Sequence, residues 1–285
     1  MDKTRLIVGL VLLLIGADAE AANPVSVRPG DAIVDGSFIK GFINRWKLVG
    51  RGSDGSVVEM GTWTDAARVD TIGGREVLLR KQIWIHDSGA EGYYNVVDHK
   101  TLTPIVSQYT NAAGWYRRME FSRDGSLVHF QHNPLPPGEG VPANARARMS
   151  EPMSEGQIKL SEPMFDFNTG MFGLLIAGFP LKEGYSARFP VFRSYYPKAE
   201  PAWVDFEVKG KEMVQAGRAG NIEAWLVVAH SPDTDEVMTF DLIKEPPYII
   251  RLRQPWQGRD WTFEMIDPPA PSAPPPAVSN RSTGK

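Results

Sequence analysis

The feature that most constrains this chain is a series of short segments in which apolar and polar residues alternate between glycine-containing turns. Residues 77–86 are an example, with one face formed by Val77, Leu79, Ile83 and Ile85 and the other by Arg80, Gln82 and His86. Such alternation is typical of antiparallel sheets with one buried and one solvent-facing side. Glycine breaks separate the segments at residues 73–74, 124–125, 209–210 and 217–220. The pattern predicts a mainly β fold, a curved antiparallel sheet forming a half-barrel or open barrel, with a sandwich as the alternative.

One segment departs from this alternation and predicts a single short buried helix. Met171–Phe179 is apolar all round and Pro180 follows it, which stops a helix from extending. Asp166, Asn168 or Thr169 could cap its start. A buried strand is the alternative, because short apolar runs have no clear period. Beside a curved sheet, such a helix would be a plug or a lid.

The first residues have the composition of a secretory signal peptide. Lys3 and Arg5 precede an apolar run that is too short to span a bilayer, and small residues follow it. We expect cleavage after Ala21 or Ala22, with an uncleaved anchor as the alternative. The sequence therefore predicts an exported protein, soluble in the periplasm after cleavage.

The rest of the chain divides into an extension, one domain and a tail. Residues 1–21 are the predicted signal peptide, residues 22–44 an N-terminal extension, and residues 45–266 a single β-rich half-barrel domain. Residues 267–285 are rich in proline and small polar residues, and predict a disordered tail.

Composition excludes several classes of function. The 31 basic and 34 acidic residues give a formal charge of −3, which gives no reason to expect a nucleic-acid partner. The chain has no cysteine, which excludes disulfides, thiolate metal sites and a thiol nucleophile. Residues 50–55, Gly-Arg-Gly-Ser-Asp-Gly, match a dinucleotide-binding pattern, but the strand-like residues that follow favour a turn. We therefore predict no cofactor.

Metal sites and catalytic groups are weakly indicated. His129 and His132 are three residues apart, so on a strand they face opposite sides and cannot chelate one ion directly. The acidic run 233–236 favours a solvated hairpin tip over a calcium loop. Irregularly spaced methionines favour packing over copper binding; these are Met149, Met153, Met164 and Met171. We predict no metal and no catalytic residue.

The second half resembles a family of exported bacterial proteins known only as a domain of unknown function. The residues that carry the resemblance are 165–168 with 173–175, 179–185, 224–228 and 243–252. It covers about residues 40–255. It implies a sheet similar to the half-barrels of the lipoprotein-sorting carriers LolA and LolB, which hold acyl chains in their concavity. The resemblance supplies no catalytic residues, and the chain lacks the lipidation cysteine of LolB-like proteins.

Three functional hypotheses follow. The first is a non-enzymatic protein that binds an apolar or amphipathic envelope molecule, such as an acyl chain, in its concave face. Aromatic residues recur on successive strands, and either line such a cleft or fill an ordinary core. The expected ligand-binding residues are Trp84, Trp115, Phe172 and Leu175. The second is an exported hydrolase that uses Asp98 with His99, or His230 near Asp233. The third is an envelope assembly or scaffold subunit with a protein partner, paired through a sheet edge or the tail.

Overall fold

The computed structural model describes residues 24–112, 114–133, 154–167, 171–192, 198–256 and 258–267. The expected signal peptide, the tail beyond residue 267, and Met149, Met153, Asn168 and Thr169 lie outside these ranges. Within them no helix has the length and hydrophobicity needed to cross a bilayer.

The described residues form sixteen strands. The first eight are β1 (Val25–Ser26), β2 (Phe42–Gly52), β3 (Val57–Ile72), β4 (Arg75–His86), β5 (Gly89–Asp98), β6 (Pro104–Asn111), β7 (Tyr116–Phe121) and β8 (Leu127–His132). The others are β9 (Ser154–Lys159), β10 (Phe165–Asp166), β11 (Ser186–Phe192), β12 (Ala202–Gln215), β13 (Asn221–Ser231), β14 (Glu236–Leu242), β15 (Ile249–Trp256) and β16 (Arg259–Asp267). One helix, α1, spans Leu174–Ala177, and one 3₁₀ turn spans Gly217–Ala219.

The strands form one curved sheet that, in the described residues, is open and does not close into a barrel. Its order is β1-β11-β12-β13-β14-β15-β16-β2-β3-β4-β5-β6-β7-β8-β9, and β10 pairs with β11. Within the series β2 to β9 and β11 to β16, consecutive strands pair antiparallel, and short turns of the kind predicted at residues 73–74 join most of them. β1 and β10 pair with β11 in parallel. The predicted fold class is therefore confirmed.

The helix lies inside the curve of the sheet, as predicted. Its residues are at most 1% exposed and belong to the main hydrophobic core. The expectation that Asp166, Asn168 or Thr169 caps the helix was wrong. Gly173 occupies the cap position without a side-chain hydrogen bond, and Asp166 lies in β10. Gly173 has a φ of 65°, and an added Cβ would lie 2.9 Å from Ile249 Cδ1. A close approach in left-handed backbone explains why glycine stands there.

The alternation in β4 is present, but its polar face points towards the protein interior and not towards solvent. Arg80 and Gln82 are buried and share that face with Leu78, whereas Ile85 is 58% exposed. Val77 and Leu79 form a separate small cluster with Val96. The polar face of β4 can be buried because a carboxylate on β3 partners Arg80, which period alone cannot reveal.

Residues before β2 also contribute to the core. Val27, Val34 and Ile39 are at most 2% exposed and belong to the main hydrophobic cluster. The turn that follows Gly52 joins β2 to β3 directly, with Ser56 N–H donating to Asp54 at 2.9 Å. Residues 50–55 are thus the end of a strand and a hairpin turn, as the sequence favoured.

Candidate functional site

The main candidate site is a cavity of about 440 Å³ at one end of the curved sheet. It opens near the turns that join β4 to β5 and β13 to β14, which antiparallel pairing places at the same end. Its described lining residues are Leu48, Trp63, Trp84, Glu91, Tyr93, Tyr109, Phe172, Glu236, Val237, Met238, Gln254, Pro255, Trp261 and Phe263. Most of these are apolar or aromatic, so the interior favours an apolar guest.

A row of four directly opposed residues crosses four strands, and its last three members line the cavity. Trp46 on β2 pairs with Trp63 on β3, which pairs with Trp84 on β4, which pairs with Glu91 on β5. We call this row the tryptophan ladder. The rings of Trp63 and Trp84 stack with centroids 6.0 Å apart. Opposed side chains lie on one face of a sheet, so the ladder is continuous across the concave surface.

Further aromatic rings extend this wall. Trp63 also stacks on Tyr93 at 5.5 Å and meets Phe263 edge-on at 5.4 Å, and Tyr93 lies 5.0 Å from Tyr109. The indole of Trp84 donates to the Met60 carbonyl at 2.6 Å. The hydrogen bond and the ring contacts hold the ladder rigid, so the wall is formed before any ligand arrives.

A glycine makes room for a large aromatic ring in the cavity wall. The indole of Trp261 on β16 lies over Gly50 on β2, and an added Cβ at Gly50 would be 2.7 Å from the ring. The two residues are paired across the strands. A side chain at position 50 would therefore push Trp261 into the space that the cavity now occupies.

A buried ion pair fastens the segment that carries Phe172. Arg80 binds Asp65 through two hydrogen bonds of 2.9 and 2.5 Å, and its Nη1 donates to the Phe172 carbonyl at 3.2 Å. Both charged side chains are at most 1% exposed. Burial raises the pKa of Asp65, and the charge of Arg80 opposes that rise. The pair fixes Phe172 against the cavity.

The end of the helix segment is fastened as well. The ammonium of Lys244 donates to the carbonyls of Ala177 and Phe179, the latter at 2.7 Å, and lies 4.5 Å from the centroid of Phe38. Burial lowers the pKa of Lys244 to about 8, and Asp35 opposes this. Because both ends of residues 172–179 are tied, Phe172, the described residue of this segment that lines the cavity, is held in position.

The structure brings two of the four expected ligand-binding residues together. Trp84 and Phe172 line the cavity and are half-buried. Leu175 is 1% exposed within the core, and Trp115 packs against the same core just before β7. Neither of these two is among the described lining residues. Whether any of the four contacts a ligand stays a prediction.

Sequence reasoning missed most of the wall. Trp63 and Tyr93 stand out as aromatic residues, but Trp261, Phe263 and Tyr109 carry no signal beyond strand-like surroundings. Their convergence depends on the pairing of β16 with β2, which are more than 200 residues apart in the chain. Arg80 and Asp65 look like solvent-facing strand residues in the sequence.

The acid–base pairs considered for a hydrolase are used in structural contacts. His99 is 7% exposed on its side chain, with Nδ1 at 2.6 Å from Glu76 and Nε2 at 2.8 Å from the Ile39 carbonyl. Asp98 accepts hydrogen bonds from Arg75 and Thr101. These partners hold a turn together and leave no cleft between Asp98 and His99.

The other candidates lie at exposed positions. His230 is 3.3 Å from Asp235, whose side chain is 98% exposed in the turn between β13 and β14. His129 lines a polar groove with Arg118 and Glu120, whereas His132 stacks on Phe130. Among the residues that the structure describes, no group of three His, Asp or Glu side chains could hold a metal ion.

Comparison with known proteins gives a family and a fold relative. A family model described as a protein of unknown function (DUF3108) matches residues 56–260. The chain is similar to the crystal structure of a β-barrel-like protein of domain of unknown function DUF1849 from Brucella abortus, at 9% identity and a TM-score of 0.49. That match covers 80% of this chain and 96% of the other. No curated protein matches the sequence. A relationship to LolA or LolB is not shown.

Proposed function

The chain belongs to the DUF3108 family, whose description states no activity, and we propose that it binds an apolar or amphipathic envelope molecule in its aromatic cavity. The observation that carries the proposal is the cavity itself. Its volume of about 440 Å³ falls within the range of small-molecule sites, roughly 300–1,000 Å³. Its wall is mostly aromatic, and a few polar groups lie at the opening, as in sites that bury an apolar ligand.

The construction of the wall supports a binding role. A core of this composition would gain free energy by collapsing onto the empty space, because unfilled volume forfeits packing. Two polar anchors prevent that movement, since Arg80 holds the Phe172 carbonyl and Lys244 holds those of Ala177 and Phe179. We therefore assign residues 172–179 the role of a support that holds Phe172 in the cavity wall.

The expected location is the periplasm. The proposal rests on the N-terminal pattern of a signal peptide and on the absence of cysteine. Cell fractionation with the native N-terminus, followed by mass determination of the mature chain, tests it. A mature protein that begins after Ala21 or Ala22 supports export, whereas full-length protein in the cytoplasm contradicts it.

The binding test uses a variant whose new side chain fills the opening of the cavity. Val237 lines the cavity and is 40% exposed, so Val237→Trp should place an indole in the opening without disturbing the core. We expect the purified protein to bind one equivalent of the apolar dye phenylnaphthylamine, and dodecyl maltoside to displace it. The variant should lose at least about tenfold in affinity, which corresponds to about 1.4 kcal/mol.

A matched control distinguishes blocking from a general effect of tryptophan. Val69→Trp makes the same change at a position that is 37% exposed at the opposite end of β3, outside the cavity lining. It should bind the dye as the wild type does. Equal loss in both variants, or no saturable binding by the wild type, would overturn the proposal.

A further inference from the structure

We infer that the ligand carries a positive charge, bound where the tryptophan ladder ends at Glu91. The inference rests on the proposed function, since it names the chemical class of the molecule in that cavity: an amphipathic cation with an apolar body. The body would lie along the aromatic wall, and the cationic group would contact the Glu91 carboxylate and the Trp84 indole.

The first argument is the adjacency of Trp84 and Glu91. They are directly opposed on β4 and β5, and both line the cavity as half-buried side chains. Opposed residues have Cβ atoms about 5 Å apart. Trp63 and His86 already contact the Trp84 ring, at 6.0 and 4.4 Å between centroids, so one cation would contact the carboxylate together with the part of the indole that lines the cavity. Cations bind best to tryptophan faces, and the attraction is stronger where water is partly excluded.

The second argument is that Glu91 retains an oxygen for a ligand. Its Oε2 accepts a hydrogen bond from the Tyr93 hydroxyl at 2.9 Å, which fixes the carboxylate. Its Oε1 lies 3.9 Å from His86 Nε2, which is too far for a hydrogen bond but within ion-pair distance, so a bound cation would share this oxygen with His86. The side chain is 20% exposed, so the carboxylate is shielded from most of the solvent and reachable from the cavity.

The third argument is the sign of the charges around the opening. Glu91 and Glu236 are the charged residues among the described lining residues, and both are acidic. Arg80 lies deeper and its charge is matched by Asp65, whereas Arg117 is directly opposed to Tyr109 on the same face of the sheet, with its guanidinium 5.5 Å from the Tyr109 ring centroid. The nearby turns 53–56, 87–88 and 232–235 contain four aspartates, and a basic residue at the same end, Arg259, donates from Nη1 to the Ser56 hydroxyl at 2.9 Å. The carboxylates of Glu91 and Glu236 would repel an anionic head group that approached them inside the cavity.

The test uses amphiphiles that share one chain and differ in head group. Dodecyltrimethylammonium, dodecyl maltoside and dodecyl sulfate are compared by calorimetry well below their micelle concentrations, with near-ultraviolet circular dichroism to confirm that the fold persists. We expect the ammonium compound to bind at least about tenfold more tightly than the maltoside, and the sulfate to bind most weakly.

The variants assign this preference to Glu91. Glu91→Gln keeps an acceptor oxygen for Tyr93, and we expect it to reduce the ratio of ammonium to maltoside affinity by about fivefold or more. Glu223→Gln is the control, because it removes the same charge from an exposed site on β13, where Glu223 pairs with Lys211. The control should keep the wild-type ratio.

The outcomes separate this inference from the proposed function. Saturable binding of all three compounds with no preference for the cation, or an unchanged ratio in Glu91→Gln, overturns the cationic head group and leaves an apolar site. If none of the three compounds binds, both the cationic head group and the proposed binding function are contradicted.

Discussion

Two halves of the concave surface are equally aromatic but differ in what they leave open. Around the helix, Phe179 contacts Phe189 and Phe206 with centroids 5.5 and 5.0 Å apart, and all three rings are at most 3% exposed. Around the tryptophan ladder, rings at similar distances surround a cavity of about 440 Å³. The difference is the segment 171–179, which fills the first half and only borders the second. Aromatic content therefore does not distinguish a core from a binding site in this protein; the position of one short segment does.

The largest effect is expected where the two halves meet, at the buried ion pair. Arg80→Met leaves the Asp65 carboxylate buried without its partner, which should lower the free energy of unfolding by about 3–5 kcal/mol. Urea denaturation measures this. The matched control is Arg188→Met, which breaks the exposed pair with Asp205 and should cost less than about 1 kcal/mol. Similar losses in the two variants would contradict the anchoring role of Arg80.

A pair of ring deletions tests the comparison itself. Phe179→Ala removes a fully buried ring from the packed half and should cost about 3–4 kcal/mol of stability. Trp84→Ala removes a half-buried ring from the cavity wall and should cost about half as much while weakening ligand binding more. Denaturation and dye titration on both variants give the two readouts. A larger stability loss for Trp84→Ala would show that the ladder is ordinary core.

A smaller effect is expected at the start of the helix. Gly173→Ala places a Cβ against Ile249 in backbone with a φ of 65°, and should lower stability by about 2 kcal/mol. Gly184→Ala is the control for left-handed backbone alone, because its φ is 76° and no atom lies within 4 Å of the added Cβ. Equal losses would mean that close packing against Ile249 contributes nothing.

The smallest effect concerns the carboxyl group of Asp241 on β14. Burial raises the pKa of Asp241 to about 6 from its usual value of 3.8, against the opposing charge of Arg251. The folded state therefore holds a proton that the unfolded chain releases between about pH 4 and 6. The resulting stability is present below about pH 4 and is lost as pH rises through about 6.

Asp241→Asn removes this titration, so the wild type should lose on the order of 1–2 kcal/mol relative to the variant between about pH 4 and 6. Denaturation of both proteins across that range measures it. Comparison with the variant cancels the contributions of other carboxyl groups. A constant difference between the two proteins would show that Asp241 does not titrate in this range.

The sequence predicts the architecture better than the site. Alternating strands, glycine turns and the apolar run 171–179 are local signals, and the structure confirms an open curved sheet with a short buried helix. The cavity depends on register. Trp84 stands beside Trp63 and Glu91 only because β3, β4 and β5 pair as they do, and a shift of one residue would turn Trp84 to the other face.

Burial of polar residues is the other limit. Arg80 and Gln82 lie on the polar face of β4, and periodicity assigns such a face to solvent. A charged residue can be buried when a partner offsets part of the cost of removing it from water, and the partner, Asp65, is on another strand. Trp115 shows the converse, since this conspicuous aromatic residue lies at the end of the sheet where the cavity opens but packs against the core outside the cavity lining.

The pairing of β16 with β2 determines when the sheet can be completed. β2 to β9 follow one another along the chain, as do β11 to β16, but the contact between these two series joins residues near 46 to residues near 265. While the chain is being made, β2 therefore presents bare amide and carbonyl groups along one side until almost the last described residues appear. A factor that shields this edge of the nascent chain would act on β2. A chain truncated before residue 259 would leave the edge of β2 unpaired.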